Sequence, residues 1–247
     1  AAMLDPYLGE GAGRGETLFT LDQLRDFILE LHSEEIDLHL HTVGDRAIRV
    51  ALDAVEQARA AVPGDLACHV TLSHLEVMND ADIPRFRELG VVANFTPHWH
   101  GGYFEGSHLT VGKPRSSRVM RAQPLLDAGA MLSFSSDVTT YSEIERANPF
   151  LGMQIAHNRQ DVEGGAGAAV MPPLTERLRR EDLVRGYTRG GALQLQLDDE
   201  LGSLTAGKAA DLVVLSEDLF AVDRYGIHRV RPDAVVMQGR VVRGQLP

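Results

Sequence analysis

The sequence predicts an α/β fold built on a parallel sheet, on three observations. Strand-like apolar runs recur roughly 30 residues apart with helix-patterned segments between them, the rhythm of βα units. The runs end on His, Asp or a Pro-terminated polar cluster, not on a tight turn back into a hairpin. Past residue 200 the pattern changes to short strands joined by Gly-containing turns, a β-rich tail distinct from the α/β body.

Residues 1–19 are Gly-rich and irregular. Thr20 with Gln23 then reads as a capping box, each side chain satisfying an orphan backbone N–H of the helix start. Leu24, Phe27, Ile28 and Leu31 follow at i, i+3, i+4, i+7, one apolar face. Residues 36–41 alternate as a strand, and Gly44-Asp45 turns the chain into a helix over 45–61, with Ala47, Ala51, Ala54, Val55 and Ala58 on one side. Pro63-Gly64-Asp65 breaks it, and residues 67–73 form a second strand ending at His74. Asn79 caps a helix carrying Ile83, Phe86 and Leu89 and closed by Gly90. Val91–Thr96 is the third strand, stopped by Pro97. A loop of about twenty residues follows, longer than a plain connection and therefore functional by expectation. Residues 119–128 read as helix, and Met131–Ser136 as the fourth strand, followed at once by Asp137. After a Gly-rich stretch at 164–169, helical patterns cover about 175–198, then a short strand at 210–215 and a terminal hairpin of 234–237 and 240–242.

The chain has 247 residues, 44% apolar and 24% charged, enough for one large domain with a small appendage. No stretch approaches the roughly 20 apolar residues of a membrane helix, so no membrane partner is expected. The N-terminal segment has neither the basic nor the apolar region of a secretory signal. With 35 acidic against 24 basic residues and a net charge of -11, the chain repels phosphate backbones, which argues against nucleic acid and for a small-molecule partner. Cys68 is the sole cysteine, so neither an intrachain disulfide nor a Cys-based zinc site is possible, and a cytoplasmic location is expected.

The chemistry gathers at strand ends. His41, His74 and Asp137 close three of the four strands, and Thr96-Pro97-His98-Trp99-His100 closes the other. In parallel α/β folds the C-terminal strand ends form a cup, so groups far apart in sequence converge there. Imidazole nitrogens with a carboxylate suit a divalent ion such as zinc, which acidifies a bound water that the carboxylate can deprotonate. Against this, a lone strand-end His is more often a hydrogen-bonded turn residue. His39 shares the strand face of His41 and reads as support or packing. His69 lies at the wrong strand end. His32, His108, His157 and His228 carry no geometric argument, and Ser135 and Ser136 lack the glycines of a nucleophile elbow.

Several segments in order resemble the C-terminal half of the amidohydrolase superfamily, in the branch of N-substituted formamide deformylase-like metal-dependent hydrolases. They are His39 to Ala47 with its Gly44-Asp45-Arg46, Ser73-His74-Leu75 with Ser73 where the family usually has Glu, and Ile83 to Phe86 leading into Leu89-Gly90-Val91. Phe95 to His98, Ser136-Asp137, Asn148-Pro149-Phe150 in the loop after it, and Gly202 to Val214 complete the set. The resemblance implies strands 5–8 of a (β/α)8 TIM-type barrel over 1–200 and C-terminal strands of a small β-sandwich over 201–247. It implies His41 and His74 as ligands of a divalent metal, zinc by preference, Asp137 as metal-linked general base, and hydrolysis of amide or related C–N bonds in a small molecule. Substrate contacts fall to His98 and, among Arg115, Arg118, Arg146 and Arg159, to Arg159, because the family often carries an Arg after its Asn-Pro-Phe loop.

By the same resemblance, the first-strand His-x-His pair and the fourth-strand ligand lie outside this sequence. The half-barrel's open strand edges are expected to be covered by a missing N-terminal half or by a homo-oligomer. Two rivals stand beside the enzyme: a catalytically silent amidohydrolase fragment, and a binding module built on the loop from Trp99 to Tyr103. In the enzyme, that loop is expected to roof the site, with Gly101-Gly102 as its hinge.

Overall fold

The computed structural model describes residues 1–246. By compactness the chain divides into two units, Ala1–Phe95 with Phe104–Leu132, and Thr96–Tyr103 with Ser133–Pro247.

In the first unit, α1 (Leu21–Ser33) starts at the expected capping box: Thr20 N donates to Gln23 Oε1 at 2.9 Å, and Gln23 N donates to Thr20 Oγ1 at 3.2 Å. Its buried Leu24 and Ile28 belong to the same apolar layer as Ile48, Ala51, Leu52, Ala54, Val55 and Ala58 of α2 (Asp45–Ala61). β1 (Leu38–Thr42) pairs in parallel with β2 (Val70–His74), and β2 with β3 (Val92–Phe95). β4 (Met131–Phe134) completes a sheet in the order β1-β2-β3-β4. Every residue of β2 and β3 is buried, the signature of strands covered on both faces. β1 instead alternates, with Leu38 and Thr42 buried and His39 and His41 exposed. The chain is thus a mixed α/β fold on a parallel sheet.

Several expected boundaries move. Asn79 caps a 3-10 turn, Asp80–Asp82, through Ala81 N (3.0 Å), and only then does α3 (Ile83–Glu88) begin. Asp82, with no exposed surface, meets Arg49 at 2.5 Å and Arg85 at 3.1 Å and so ties α2 to α3. The long loop after β3 is ordered into 3-10 turns, Pro97–His100 and Gly102–Phe104, and two single-turn helices, α4 (His108–Val111) and α5 (Lys113–Ser116). Arg115 staples this stretch, donating to the carbonyls of Val111 (2.6 Å), Asp5 (2.9 Å) and Pro6 (2.7 Å). The helix read at 119–128 shortens to α6 (Ala122–Asp127). Gly44-Asp45-Arg46 anchors the N-terminal segment. Asp45 Oδ1 accepts from Leu4 N at 2.7 Å, and a Cβ at Gly44 would stand 2.9 Å from Met3 Sδ.

In the second unit, residues 149–158, read from sequence as part of a loop, form α7 (Pro149–Asn158). Asn148 Oδ1 accepts from Phe150 N at 3.1 Å, and Pro149 opens the helix, where its missing N–H costs nothing. Gly152, Met153, Gln154, Ile155, Ala156 and Asn158 are buried, so α7 shows no clean amphipathic stripe and periodicity could not reveal it. The helical stretch expected over 175–198 is broken into a 3-10 turn (Leu174–Glu176), α8 (Arg180–Arg185), a π-helical turn (Gly186–Gly190) and α9 (Gly191–Gln194). The tail is an antiparallel sheet of β5 (Leu212–Leu215), β6 (Pro232–Met237) and β7 (Arg240–Gly244), in that order. Gln238 and Gly239 join the last two with φ of 50° and 74°, as a tight hairpin turn requires.

Candidate active site

In the first unit the register sets the geometry. His41 lies opposite Ser73 and Thr42 opposite His74. Thr42 Oγ1 donates to Ser73 O at 2.9 Å and Ser73 Oγ donates to Leu40 O at 3.0 Å, bracing the two strand ends against each other. The His41 and His74 rings are 4.6 Å apart between centroids, and His41 Nδ1 lies 2.5 Å from His74 Nε2. That is shorter than the usual spacing of about 2.9 Å for an N–H donor, so the two rings are in direct hydrogen-bond contact, the tautomers deciding which nitrogen donates. His39, on the same face, stands 6.2 Å from His41. His74 and Leu75 have φ of 74° and 57°. Consecutive left-handed residues with side chains are strained, and such strain concentrates at functional sites.

In the second unit Asp137 carries the same mark, with φ of 49°. Its Oδ2 lies 3.9 Å from Arg146 Nη1. Arg146 also pairs with Glu143. The Glu143 carboxylate accepts from Thr139 N (3.2 Å) and Thr139 Oγ1 (3.0 Å), and these bonds hold its pKa below the ordinary value. The chain after β4 is thereby folded back so that Arg146 faces Asp137.

His98 is 7% exposed, and neither ring nitrogen makes a hydrogen bond of normal geometry. Burial first, and then the Arg146 charge, lower its pKa to about 4, against the opposing pull of the Asn148 backbone. His100 is fully buried and lowered too, by burial and then by Arg159 and His98. Trp99, 7% exposed, stacks on Tyr103 at 5.0 Å and 13°. Gly101-Gly102, expected as a hinge, is seated on Asp161, whose Oδ1 accepts from Gly102 N at 3.0 Å. Close approach is what demands glycine here: a Cβ on Gly101 would stand 2.6 Å from Asp161 Oδ1 and 3.0 Å from Ile155 Cγ2.

Arg159 has no exposed surface. Its Nε donates to Met171 O at 2.9 Å and its Nη2 to Pro172 O at 3.0 Å. Burial lowers its pKa to about 10, with buried Glu176 opposing, so it stays cationic at neutral pH.

The structure therefore brings His41 to His74, and Asp137 and His98 each to the neighbourhood of Arg146, while the donors of Arg159 are committed to backbone carbonyls. Two neighbouring imidazoles are the donor type that a borderline divalent ion takes. They are two donors of a set: among the described residues no three His, Cys, Asp or Glu side chains are grouped to hold a metal. Sequence reasoning missed Asp161, which no motif marks. No helix among the described residues is long and apolar enough to cross a membrane.

Comparison with known proteins places this geometry. The chain is 25% identical over 242 residues to YtcJ of Bacillus subtilis (strain 168), named as an amidohydrolase, covering 98% of this chain and 44% of that protein. It is 28% identical over 207 residues to the N-substituted formamide deformylase of Arthrobacter pascens, covering 83% of this chain and 36% of that enzyme. Among solved structures, an uncharacterized metal-dependent hydrolase from Pyrococcus horikoshii OT3 superposes with a TM-score of 0.74 at 27% identity, covering 91% of this chain and 43% of that one. The chain thus spans less than half the length of these relatives. The sequence profile of the Amidohydrolase family matches residues 1–243, and the chain belongs to that family.

Proposed function

We propose that this chain is the strand-5-to-8 portion of a (β/α)8-barrel amidohydrolase, with residues 201–247 contributing to a β-sandwich, and that it serves hydrolysis of an amide or related C–N bond in a small molecule. The observation that carries this is the pairing of His41 and His74, whose side chains meet on adjacent strand ends. His41, His74 and Asp137 would hold a divalent ion. Imidazole with carboxylate suits zinc best. When bound, the ion supplies the positive charge that acidifies a water and polarises the scissile carbonyl.

The chain's own residues do the rest. Asp137 accepts the proton of the attacking water as its oxygen bonds to the carbonyl carbon, and returns that proton to the nitrogen as the C–N bond breaks. Arg146, paired with Glu143 and 3.9 Å from Asp137, keeps that carboxylate oriented. His98 faces the substrate. Arg159 reaches a substrate carboxylate only by giving up the Met171 and Pro172 carbonyls, so its first task is to hold that loop. A second reading, a catalytically silent fragment, draws on the absence of a three-ligand group among the described residues. Open sheet edges are covered, in either reading, by further polypeptide or a second copy.

Metal analysis after zinc reconstitution tests the proposal. The wild-type chain should retain zinc after gel filtration, and His41→Ala and His74→Ala should lose it. Turnover of a panel of N-substituted formamides should follow and be abolished by Asp137→Asn. A folded chain that retains no zinc, iron or manganese overturns the metal site. Zinc retention without turnover of any amide leaves the silent fragment.

A further inference from the structure

We propose that Arg177, Arg180 and Arg224, gathered around His157 and Asn158 at the end of α7, form a site for a phosphate dianion, free or carried as a phosphomonoester. The site lies wholly within the second unit and uses none of the groups proposed for hydrolysis, so it stands independently of that reading.

Asn158, 1% exposed, ties two of the guanidiniums together. Its backbone carbonyl accepts from Arg177 Nε at 3.0 Å, and its side-chain Oδ1 accepts from Arg224 Nε at 2.5 Å. Its Nδ2 donates back to Arg224 O at 2.9 Å, which fixes the orientation of the amide. Arg180 comes from the start of α8, its Nη1 donating to Leu219 O at 2.9 Å. Arg224 is steadied further by the Tyr225 ring, whose centroid lies 5.7 Å from its guanidinium carbon. Each anchor takes one N–H of a group that carries five, and the rest are left to donate. All three arginines are half-buried and keep part of their surface in solvent.

The cluster lacks a counter-charge. Among the described residues Arg177, Arg180 and Arg224 have only carbonyl and amide oxygens as acceptors. The carboxylates of the same stretches are committed elsewhere. Asp182 pairs with Arg179 at 2.8 Å and with Arg185 at 3.6 Å. Asp218 and Asp223 accept from the backbone N–H groups of Phe220 and Tyr225, each at 2.8 Å. Buried Glu176 acts on Arg159. The three charges fall on common ground: burial first, and then Arg180, Arg224 and Arg177, lower the His157 pKa, against the bond from His157 Nδ1 to Leu178 O at 2.8 Å. Like charges this close repel, and partial burial strengthens the repulsion. A chain of net charge -11 has carboxylates in excess, yet sets none against these arginines.

Charge and donor geometry select the ligand class. The guanidinium fork matches the oxygens of carboxylate and phosphate bidentately. A carboxylate is planar, carries a single charge on two oxygens, and is satisfied by two forks. A phosphoryl group carries about -1.5 to -2 at neutral pH on three strong acceptor oxygens, and so takes donors from three arginines at once. Inorganic phosphate and a phosphomonoester present that same face.

Imidazole 15N resonances of the labelled 247-residue chain test the site, with His157 assigned by its loss in His157→Gln. Inorganic phosphate, methyl phosphate and acetate are titrated at pH 7 and constant ionic strength. Phosphate should move the His157 resonances saturably, with a Kd of about 1 mM or tighter, and acetate should bind at least about ten-fold more weakly. Arg177→Gln and Arg224→Gln should each weaken phosphate binding about ten-fold, the worth of one charged hydrogen-bonding partner. Arg243→Gln, which removes the same charge from β7, should leave it unchanged. Arg180→Gln, anchored on Leu219 and not on Asn158, should weaken it likewise and answers independently if the Asn158 pair is needed for folding. Tighter binding of methyl phosphate assigns a phosphomonoester, and equal or tighter binding of inorganic phosphate assigns the free ion. Resonances that stay still with both phosphates, or that move alike with acetate, overturn the site. An affinity that falls as much in Arg243→Gln overturns it too, because net charge alone would then explain the binding. The readout needs neither metal nor turnover, so an inactive chain can still bind phosphate, and an active one can fail to.

Discussion

At the scale of single residues, His98 contributes to the response to acid, beside His39, His100, His157 and His228, whose pKa values burial also lowers. An exposed imidazole takes a proton at a pKa near 6.5, whereas buried His98 does so at about 4. Between those values the unfolded chain binds a proton that the folded chain refuses, so stability is complete above about pH 6.5 and falls as pH drops toward 4. The gap corresponds to about 3 kcal/mol. His100, lowered by burial and by Arg159 and His98, acts in the same direction. Urea midpoints measured from pH 7.5 to 4.5 should therefore fall steeply, and His98→Asn should flatten the slope. An equal slope in that variant would assign the acid sensitivity elsewhere.

Asp137 makes a second residue-scale case, because its left-handed backbone admits Asn more readily than Ala. Asp137→Asn should leave the Tm unchanged, and Asp137→Ala should cost roughly 1 kcal/mol, while both remove turnover. If Ala and Asn are equally stable, the backbone at 137 is not strained. The strand-end places of His41 and His74 were legible in the sequence because strand ends can be counted, whereas β4 ends at Phe134, three residues before Asp137. The arginine cluster was not legible, because Arg177 and Arg224 lie in separate segments and meet only through the backbone and side chain of Asn158.

At the scale of elements, regular pairing was legible and local helical geometry was not. β2, β3 and β4 lie within the segments their apolar runs marked out and β1 runs one residue past its segment, to Thr42; burial of β2 and β3 on both faces leaves a continuous signal, while β1 is marked by alternation. α7 was invisible because it is buried nearly all round, and the long loop after β3 concealed short helical turns too brief for periodicity to register. The segment Pro97–Phe104 carries the clearest element-scale test. Gly101→Ala drives a methyl into the Asp161 carboxylate and Ile155 and should cost about 1–3 kcal/mol by overpacking. Asp161→Ala should restore part of that loss in the double mutant, a coupling that a thermal-unfolding cycle measures. Additive effects would show that the contact with Asp161 does not fix the segment. Under the proposed hydrolase function, with this segment proposed to roof the substrate, Gly101→Ala should also change KM and kcat together.

At the scale of the whole molecule, charge and exposed apolar surface act against each other. A net charge of -11 keeps copies apart at neutral pH, and the pI is about 5.3. Every residue of edge strand β7 is exposed, and Val242 (57%) with Val213 (52%) and Met237 (54%) leaves apolar surface on the tail sheet. Arg240 and Arg243 flank Val241-Val242, the kind of charge that discourages an edge from pairing with another chain. As pH falls toward 5.3 the mutual repulsion fades while these apolar groups stay exposed, so light scattering at fixed concentration should peak near the pI. The His98 effect is separable because unfolding deepens steadily down to about pH 4 instead of peaking. Val242→Lys adds a charge to the edge at a solvent-facing position. It should lower the scattering maximum without moving the urea midpoint, and His98→Asn should move the midpoint without lowering the maximum. Scattering that is flat through pH 5.3, or that follows the unfolded fraction in both variants, would show that association proceeds from the unfolded chain and not from the exposed tail sheet.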